Sequence, residues 1–559
     1  MKKAFTKLTL IAFAFAIVGL SAQTSFAGPA QIIIININAP NVGFNDPTPA
    51  APVGGNTGTT LGQQRLIAFQ HAASIWAARL DSNVPIRIRA QFTPLGPGIL
   101  GSAGPISVAR DFTGALLPLT WYHIALANKL AGVDLLPAND DITANFSSTF
   151  NFYLGLDNNH GAQPDLVAVL LHEFAHGLGF SQLANLGNGA LFSGLPDQYN
   201  SKLFDQTLNL FWPQMTNAQR VASATRWGRT VWAGSFVTAG VPSVLSLGSL
   251  EVRVTTPANI AGVVQFGGAA FGPTVASSTV SGNVLAAVDV AEAGGTTTDG
   301  CSPFANAAAI AGKIALIERG LCGFAVKARN ATNAGAIAAI IYNNAANAAA
   351  GPPGMADDGI NGAFVTIPAV SLRRTDGTDI VAALVGTVGA SMGINNGIRA
   401  GADELGRVRV FAPFPVIGGS SISHYDTVAI RNLLMEPAIN GDLTHKVKAP
   451  DDLTFELLRD IGWTFPDADG DGVVDDEDCN PNSDTSATII IGGINTGVPN
   501  TLFPNGCTMS DLLTNLKDPA VNHGDYVSAV ANLTNQWVAD GLISGVQKGA
   551  IQSAAAKNH

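Results

Sequence analysis

The residues with the clearest capacity for chemistry lie in the stretch LLHEFAHGLGF, residues 170–180. It contains His172, Glu173 and His176 in an H-E-x-x-H pattern. Residues four apart on a helix share one face, so both imidazoles can bind one Zn²⁺ ion. Glu173 can then act as general base toward a water that the metal activates. A chance match on an ordinary buried helix is the alternative interpretation of so short a pattern.

A rigid helix must hold these side chains, and the flanking residues predict one. Residues 167–171 are apolar and suit a helix inside a core. Asp165 precedes them and is a residue type favoured at the N-cap. Gly179 follows the motif, where a helix can stop and the chain can turn sharply.

A catalytic zinc site needs three protein ligands and one open position, so a third ligand must come from elsewhere. Gln182 stands where a closely spaced third histidine would be, and it is a poor zinc ligand. No glutamate follows the motif before Glu251, and the next histidine is His424. His424 is therefore the candidate, and an ordinary loop histidine is the alternative. Asp205 is its rival as a ligand, and its alternatives are a structural role or a carboxylate that orients a ligand imidazole.

Four segments together resemble the leishmanolysin-like branch of the metzincin metalloproteases. They are HEFAHGLGF, the distant SISHYD, the LMEP sequence around Met435, and LLRDIGW at 457–463. The resemblance implies zinc ligation by His172, His176 and His424, with Glu173 as general base and Met435 in a turn beneath the metal. Two features depart from the family pattern: the gap before the third histidine is very long, and no tyrosine follows Met435 directly. Plain core packing is the alternative role for this methionine.

The gap between the two halves has a composition of its own. Residues 249–397 are rich in Ala, Gly and Val, with short β-like runs. Within them KIALIERG, FAVKARNATNAGA and AIAAIIYNN predict a strand, a helix and a second strand. This segment resembles a protease-associated (PA) domain, which implies an accessory domain that binds substrate or another protein. An insertion without function is the alternative, because long surface insertions cost little free energy.

A second metal site is predicted in DADGDGVVDDEDCNPNSD, residues 467–484. The spacing of its acidic residues follows the ligand order of an EF-hand loop, with Gly472 at the sharp turn. The segment resembles a thrombospondin type-3 calcium repeat, and an acidic flexible linker is the alternative. The predicted Ca²⁺ ligands are Asp467, Asp469, Asp471, the Val473 carbonyl, Asp475 and Asp478.

The N-terminus and the cysteines indicate secretion. Three lysines, an apolar run and the small-residue site ending at Ala27 predict a bacterial signal peptide. No later stretch is long and apolar enough to span a bilayer. Secretion favours disulfides, and the expected pairs are Cys301–Cys322 and Cys479–Cys507. The chain of 559 residues carries a net charge of −11, which argues against nucleic acid as a partner.

These observations predict an α+β multidomain protein whose metzincin-like catalytic domain combines a twisted sheet with the active-site helix. A β-rich α/β PA domain interrupts it, and a calcium-binding loop and a short helical tail follow. The expected segments are a signal peptide at 1–27, the catalytic domain at 28–248 and 398–465, the PA-like domain at 249–397, the calcium repeat at 466–486, and the tail at 487–559.

The predicted function is secreted zinc-dependent endopeptidase activity on protein or peptide substrates, with Zn²⁺ and Ca²⁺ as cofactors. A location in the periplasm or on the cell surface would also fit the signal peptide. A sheet edge near 142–154 is expected to receive an extended peptide. One alternative is a calcium-dependent adhesion protein with a degenerate protease fold. A further alternative is a hydrolase that acts on something other than peptides.

Overall fold

Alternating apolar and polar residues build the sheet behind the H-E-x-x-H helix. In the strand IRIRAQFT, the residues of one face are buried and those of the other are not, as the two-residue period of a strand requires. The computed structural model describes residues 29–475 and 477–558, so the predicted signal peptide lies outside the described residues. Two compact units are present, one spanning Pro29–Pro466 and one built on Asp467–His559.

The first unit opens with a mixed sheet and the helices that cover it. The strands of this region form three separate sheets. They are β1 (Ile32–Asn36), β2 (Ile86–Thr93), β3 (Gly101–Pro105), β4 (Val108–Ala109), β5 (Tyr122–His123), β6 (Ile142–Ser147), β7 (Leu203–Asp205), β8 (Leu210–Phe211) and β9 (Thr230–Trp232). Its helices are α1 (Leu61–Ala77), α2 (Ile124–Ala131), α3 (Leu166–Leu178), α4 (Asn217–Ser223) and α5 (Ser235–Val244).

The strand order β1-β2-β6-β3 corrects one expectation about the cleft. Strand β6 begins at Ile142, where a free sheet edge was predicted, but it pairs with β2 on one side and β3 on the other. Strands β1 and β3 are the two edges of this sheet, and β3 runs antiparallel to β6. The sequence of β6 could not reveal this, because edge and interior strands differ in their neighbours and not in their local pattern.

Helix α3 forms where the sequence predicts it and is buried along its whole length. The Asp165 side chain accepts a hydrogen bond from the Val167 N–H at 2.9 Å and caps the first turn. The helix ends at Gly179, whose φ of +130° suits glycine, and a Cβ there would lie 2.6 Å from Ile461 Cδ1. The aromatic rings of Phe69, Phe92, Phe146 and Phe174 pack between this helix and the sheet.

The long insertion folds around a sheet of its own. Its strands are β10 (Leu247–Thr256), β11 (Gly262–Val263), β12 (Phe266–Gly267), β13 (Val280–Ala286), β14 (Ile314–Glu318), β15 (Ala338–Tyr342), β16 (Ala369–Leu372) and β17 (Gly389–Arg399). Its helices are α6 (Ala307–Ile310), α7 (Phe324–Asn333) and α8 (Arg374–Ala383). The order is β11-β10-β17-β13-β14-β15-β16-β12, and the predicted strand–helix–strand is β14–α7–β15. The Cys301–Cys322 disulfide is confirmed here.

The chain enters and leaves the insertion through one pair of strands. Strands β10 and β17 run antiparallel, with Leu247 opposite Arg399. The segment after β17 returns to the hydrophobic core packed around α3 and its sheet, called here the first core, where Val408, Val410 and Tyr425 are buried. Helix α9 (Thr454–Ile461) completes this unit. The insertion therefore emerges from the first core as a two-stranded stem and rejoins it at once.

The second unit has its own core and ends in helices, as the apolar spacing of the tail predicts. It contains the hairpin β18 (Thr488–Ile491) and β19 (Ile494–Pro499), followed by α10 (Met509–Thr514), α11 (His523–Ala539) and α12 (Gly545–Lys557). The Cys479–Cys507 disulfide is confirmed. Within residues 29–475 and 477–558, no helix combines the length and apolar character that crossing a membrane requires.

Candidate metal centre and its surroundings

The structure brings His172, His176 and His424 together, although 248 residues separate the last two in sequence. The Nε2 atoms of His172 and His176 lie 3.1 Å apart, as expected for residues one helical turn apart. The Nε2 atom of His424 lies 3.2 Å from that of His172 and 3.3 Å from that of His176. The three nitrogens therefore form a nearly equilateral triangle.

A main-chain carbonyl fixes the orientation of each ring. The Nδ1 atoms of His172, His176 and His424 lie 2.7, 2.7 and 2.8 Å from the carbonyl oxygens of Leu434, Phe180 and Ser420. A carbonyl can only accept, so each Nδ1 must carry the proton. Each Nε2 then presents a lone pair toward the other two.

Burial keeps these imidazoles neutral. It lowers the pKa of His172 to about 4 and that of His424 to about 3. It also lowers the pKa of His176 well below its usual value, and the two neighbouring imidazoles lower it further. Neutral imidazole is the form that binds metal.

The donor set fits a zinc ion. Nitrogens about 2.0–2.1 Å from a tetrahedral zinc lie about 3.3–3.4 Å from one another, close to the three separations found here. Three buried lone pairs that face each other without a proton between them repel unless a cation joins them. The carbonyl partners on Nδ1 are the kind that metal-binding histidines use to fix their tautomer. The residues present therefore suit Zn²⁺ with one position left open.

Glu173 lies against the edge strand β3. A Cβ added at Gly101 would lie 3.0 Å from Glu173 Oε1, so glycine permits this close approach. Burial raises the pKa of Glu173 to about 8, and a hydrogen bond from the Ala103 backbone opposes that rise. The motif predicted Glu173, but Gly101 and Ala103 escaped sequence reasoning. The sequence signal for them is weak: two glycines in the short run GSAGP.

Met435 lies in the turn that supports His172. Its side chain is fully buried in the first core. The carbonyl of its neighbour Leu434 accepts the bond from His172, and its own carbonyl accepts from the Tyr425 N–H at 2.8 Å. The turn thus links the first ligand imidazole to the residue after His424.

Asp205 has the structural role that was one of its alternatives, and it is neither a zinc ligand nor the partner of a ligand imidazole. Its carboxylate pairs with Arg226 at 2.7 Å and accepts backbone N–H bonds from Thr207 and Leu208. All three ring Nδ1 atoms have carbonyl partners, so no imidazole depends on this carboxylate. A carboxylate next to a β-turn can accept bonds from nearby backbone N–H groups and pair with an arginine. The sequence around Asp205 could not distinguish this arrangement from metal ligation.

In the predicted calcium loop, backbone N–H groups donate hydrogen bonds to the loop's own carboxylates. Asp467 accepts N–H bonds from Gly470 and Gly472, and Asp467, Asp469 and Asp471 can each place an oxygen within 4.8 Å of the others. Among the described residues, the Oδ2 atoms of Asp471 and Asp478 are buried without a hydrogen-bond partner. The Val473 N–H bonds Asp471, and Asp475 accepts from Ala468.

Mutual repulsion is visible in this loop. Burial and the charges of Asp469, Asp478 and Asp467 raise the pKa of Asp471. Burial and the charges of Asp469, Asp475 and Asp511 raise the pKa of Asp478. Two orphaned carboxylate oxygens in an acidic loop are the environment that a divalent cation would satisfy.

Comparison with known protein families identifies one part of the chain. Residues 280–380 match the PA domain. This match lies within the insertion and covers strands β13–β16 and helices α6 and α7. The predicted PA domain is therefore present.

Curated relatives share only a short segment with this chain. ER degradation-enhancing alpha-mannosidase-like protein 3 of Homo sapiens is 42% identical over 90 residues, 16% of this chain and 10% of that protein. Probable leucine aminopeptidase 2 of Aspergillus fumigatus is 39% identical over 101 residues, 18% of this chain and 20% of that protein. An aminopeptidase of Pseudomonas aeruginosa is 40% identical over 100 residues, 17% of each. These lengths are close to that of the PA region, and the relatives' names describe different activities.

Among solved structures, the zinc aminopeptidase BSAP from Bacillus subtilis matches with a TM-score of 0.19 and 22% identity. The match covers 28% of this chain and 36% of that one. An aminopeptidase from Aneurinibacillus sp. strain AM-1 matches with a TM-score of 0.19 and 16% identity, over 38% and 45% of the two chains. At so low a TM-score, these matches do not establish the fold or the function of the first core.

Proposed function

We propose that this protein is a zinc-dependent endopeptidase of the leishmanolysin-like metzincin type. The observation that carries the proposal is the triangle of Nε2 atoms from His172, His176 and His424, with sides of 3.1–3.3 Å. Their tautomers are fixed so that the three lone pairs converge. The PA domain adds weaker support. Two aminopeptidases share segments of 101 and 100 residues with this chain, close to the length of the PA match.

A bound zinc ion would lower the pKa of a coordinated water toward about 7 and polarise the substrate carbonyl. Glu173 stands next to a candidate ligand in sequence, and a bound cation would favour its ionised form. The carboxylate would then take the proton as water attacks the peptide carbonyl. The same carboxyl then delivers the proton to the leaving amine nitrogen, so the acid–base cycle closes on one residue.

Strand β3 is suited to hold the substrate. It is an edge of its sheet, and Gly101 brings it to the Glu173 carboxyl. An extended peptide can add to such an edge by main-chain hydrogen bonds, with its scissile bond beside Glu173. Because main-chain bonding does not require a substrate terminus, this mode favours internal cleavage.

We also propose Ca²⁺ binding by the 467–478 loop and secretion through cleavage after Ala27. The orphaned oxygens of Asp471 and Asp478 support the first proposal. The apolar N-terminal run supports the second. N-terminal sequencing of protein recovered from the medium should begin at Gly28, and recovery of an intact N-terminus would contradict secretion by this route.

The test of the peptidase proposal is the Glu173→Gln substitution in the full chain. Glutamine keeps the side-chain shape but removes the base, so turnover should fall by about 10²- to 10⁴-fold while zinc content stays at one per chain. Glu456→Gln, the same change at another buried glutamate of this unit, is the matched control and should remain active. A fully active Glu173→Gln protein would rule out this base.

The substrate used in that test should separate the competing functions. An internally quenched peptide with an acetylated N-terminus reports endopeptidase activity and cannot serve an aminopeptidase. Casein hydrolysis with and without a zinc chelator reports metal dependence. A calcium-dependent adhesion protein with a degenerate site would bind little zinc and cleave neither substrate.

A further inference from the structure

The stem of the PA-containing insertion reaches back to the metal centre through a buried ion pair. Glu251 lies on β10, the first stem strand, opposite Gly393 of β17. One oxygen of its carboxylate pairs with the Arg409 guanidinium, and the other lies 3.2 Å from Arg253 Nη2. Arg409 follows the stem in sequence and lies outside the insertion's sheet. This contact joins the insertion to the first core through side-chain charges.

Arg409 belongs to the segment that carries His424. The Asp426 N–H donates to the Arg409 carbonyl at 3.0 Å, and the Phe411 N–H donates to the His424 carbonyl at 2.9 Å. The Ile422 N–H donates to the Phe411 carbonyl at 2.8 Å. These bonds form a short ribbon of residues 409–411 and 422–426. The position of the third imidazole therefore depends on where residues 409–411 lie.

The charges in this contact are almost wholly removed from water. Glu251 is 3% exposed, and Arg409 and Asp426 are each 1% exposed. Arg409 and Asp426 interact electrostatically, but Arg409 Nε and Nη1 lack hydrogen-bond partners within the described chain. Glu251 therefore supplies the carboxylate that directly pairs this guanidinium. A buried cation that loses its partner is strongly destabilised and drives its surroundings to rearrange.

We propose that Glu251 and Arg409 are positioning residues that make the placement of His424 depend on the docked stem of the PA insertion. Glu251 fixes the Arg409 guanidinium, Arg409 fixes the ribbon, and the ribbon fixes the third imidazole of the triangle. This inference rests on the proposed function of the metal centre. It gives the insertion a role in assembling that centre, which neither the PA match nor the H-E-x-x-H motif implies.

The test uses the full chain and measures metal binding before activity. Glu251→Gln removes the charge with little change in shape. Because Glu251 acts on His424 only through Arg409, zinc affinity should fall by about 10-fold, the low end of the range for groups that hydrogen-bond a metal ligand directly. The visible spectrum of the Co²⁺-loaded protein should change with it, because that spectrum reports ligand geometry. Glu318→Gln, which breaks the Arg374–Glu318 pair inside the insertion, is the matched control and should change neither readout.

A double variant separates positioning from simple loss of stability. Glu251→Met with Arg409→Met removes both partners of this ion pair and so leaves no unpaired guanidinium, and zinc affinity should recover above that of Glu251→Gln. All affinities are measured well below each variant's unfolding midpoint, so that only folded protein is compared. Wild-type affinity and spectrum in Glu251→Gln would overturn the proposal, and so would a double variant no better than the single one.

The proposed function fails separately from this inference. If the wild type binds zinc but cleaves neither casein nor the blocked peptide, the peptidase proposal is wrong while the affinity measurements still decide the positioning role. If the wild type binds neither Zn²⁺ nor Co²⁺, both proposals are overturned.

Discussion

The two candidate metal sites of this protein are built in opposite ways. The histidine site draws its ligands from helix α3 and from a ribbon 248 residues further on, and all three side chains are buried. The candidate ligands of the carboxylate site all lie between positions 467 and 478, and Asp467, Asp469 and Asp471 are only partly buried. One site is assembled by a core and the other by a loop.

The two sites differ in how much the folded state of each is destabilised when no metal ion is bound. Neutral imidazoles with carbonyl partners can stay buried without a metal, since only three lone pairs remain unsatisfied. Clustered carboxylates repel each other and hold two orphaned oxygens. We therefore expect metal removal to leave the histidine site folded and to loosen the acidic loop.

The largest expected effect is on the histidine site. His424→Ala removes one of three ligands, so zinc affinity should fall by more than the roughly 10- to 100-fold loss that follows removal of an outer partner. Peptide hydrolysis should be lost with it. Zinc content after dialysis and the far-UV CD spectrum check both points, and His523→Ala in the second unit is the control. Retained zinc in His424→Ala would show that the site needs only the helix pair.

The next effect should appear in the acidic loop. If its Kd is about 0.1 mM, as for extracellular calcium modules, 10 mM Ca²⁺ should stabilise the folded loop by about 2.7 kcal/mol. Asp471→Asn should remove most of that gain, whereas Asn at the exposed Asp518 of the same unit should not. Calorimetry with and without calcium measures the shift in unfolding temperature. Equal shifts in both variants would contradict binding at this loop.

A further effect should come from a buried carboxyl group that has no candidate metal ion beside it. Burial raises the pKa of Glu456 to about 7, and among the described residues its Oε2 atom has no partner. The folded state thus holds a proton that the unfolded state releases near pH 4.5. This contribution to stability is complete below that pH and is lost as pH rises through about 7.

Glu456→Gln should flatten that dependence, because glutamine does not ionise and can still accept the Ala449 N–H bond. The unfolding temperature of the wild type should fall more steeply between pH 5 and pH 8 than that of the variant. The corresponding loss in free energy of unfolding is up to about 1.4 kcal/mol per pH unit. Parallel curves would show that Glu456 stays ionised across this range.

The sequence determined the features that depend on near neighbours. The His172–His176 pair, the Asp165 cap, the order of the acidic loop and the strand–helix–strand of the PA domain all follow from residues within a few positions of each other. Helical and strand periods fix such neighbours before any packing occurs. Both disulfides were also predicted, because the resemblances place one pair of cysteines in the PA-like domain and the other beside the calcium repeat.

Only the tertiary structure decided the contacts between distant segments. It placed His424, the candidate that the resemblance implied, beside the helix pair. It gave β6 a neighbouring strand on each side and paired Asp205 with Arg226. It also joined Glu251 to Arg409 across the stem of the insertion. These outcomes depend on which surfaces pack against each other, and packing selects among many compatible partners that local spacing cannot rank.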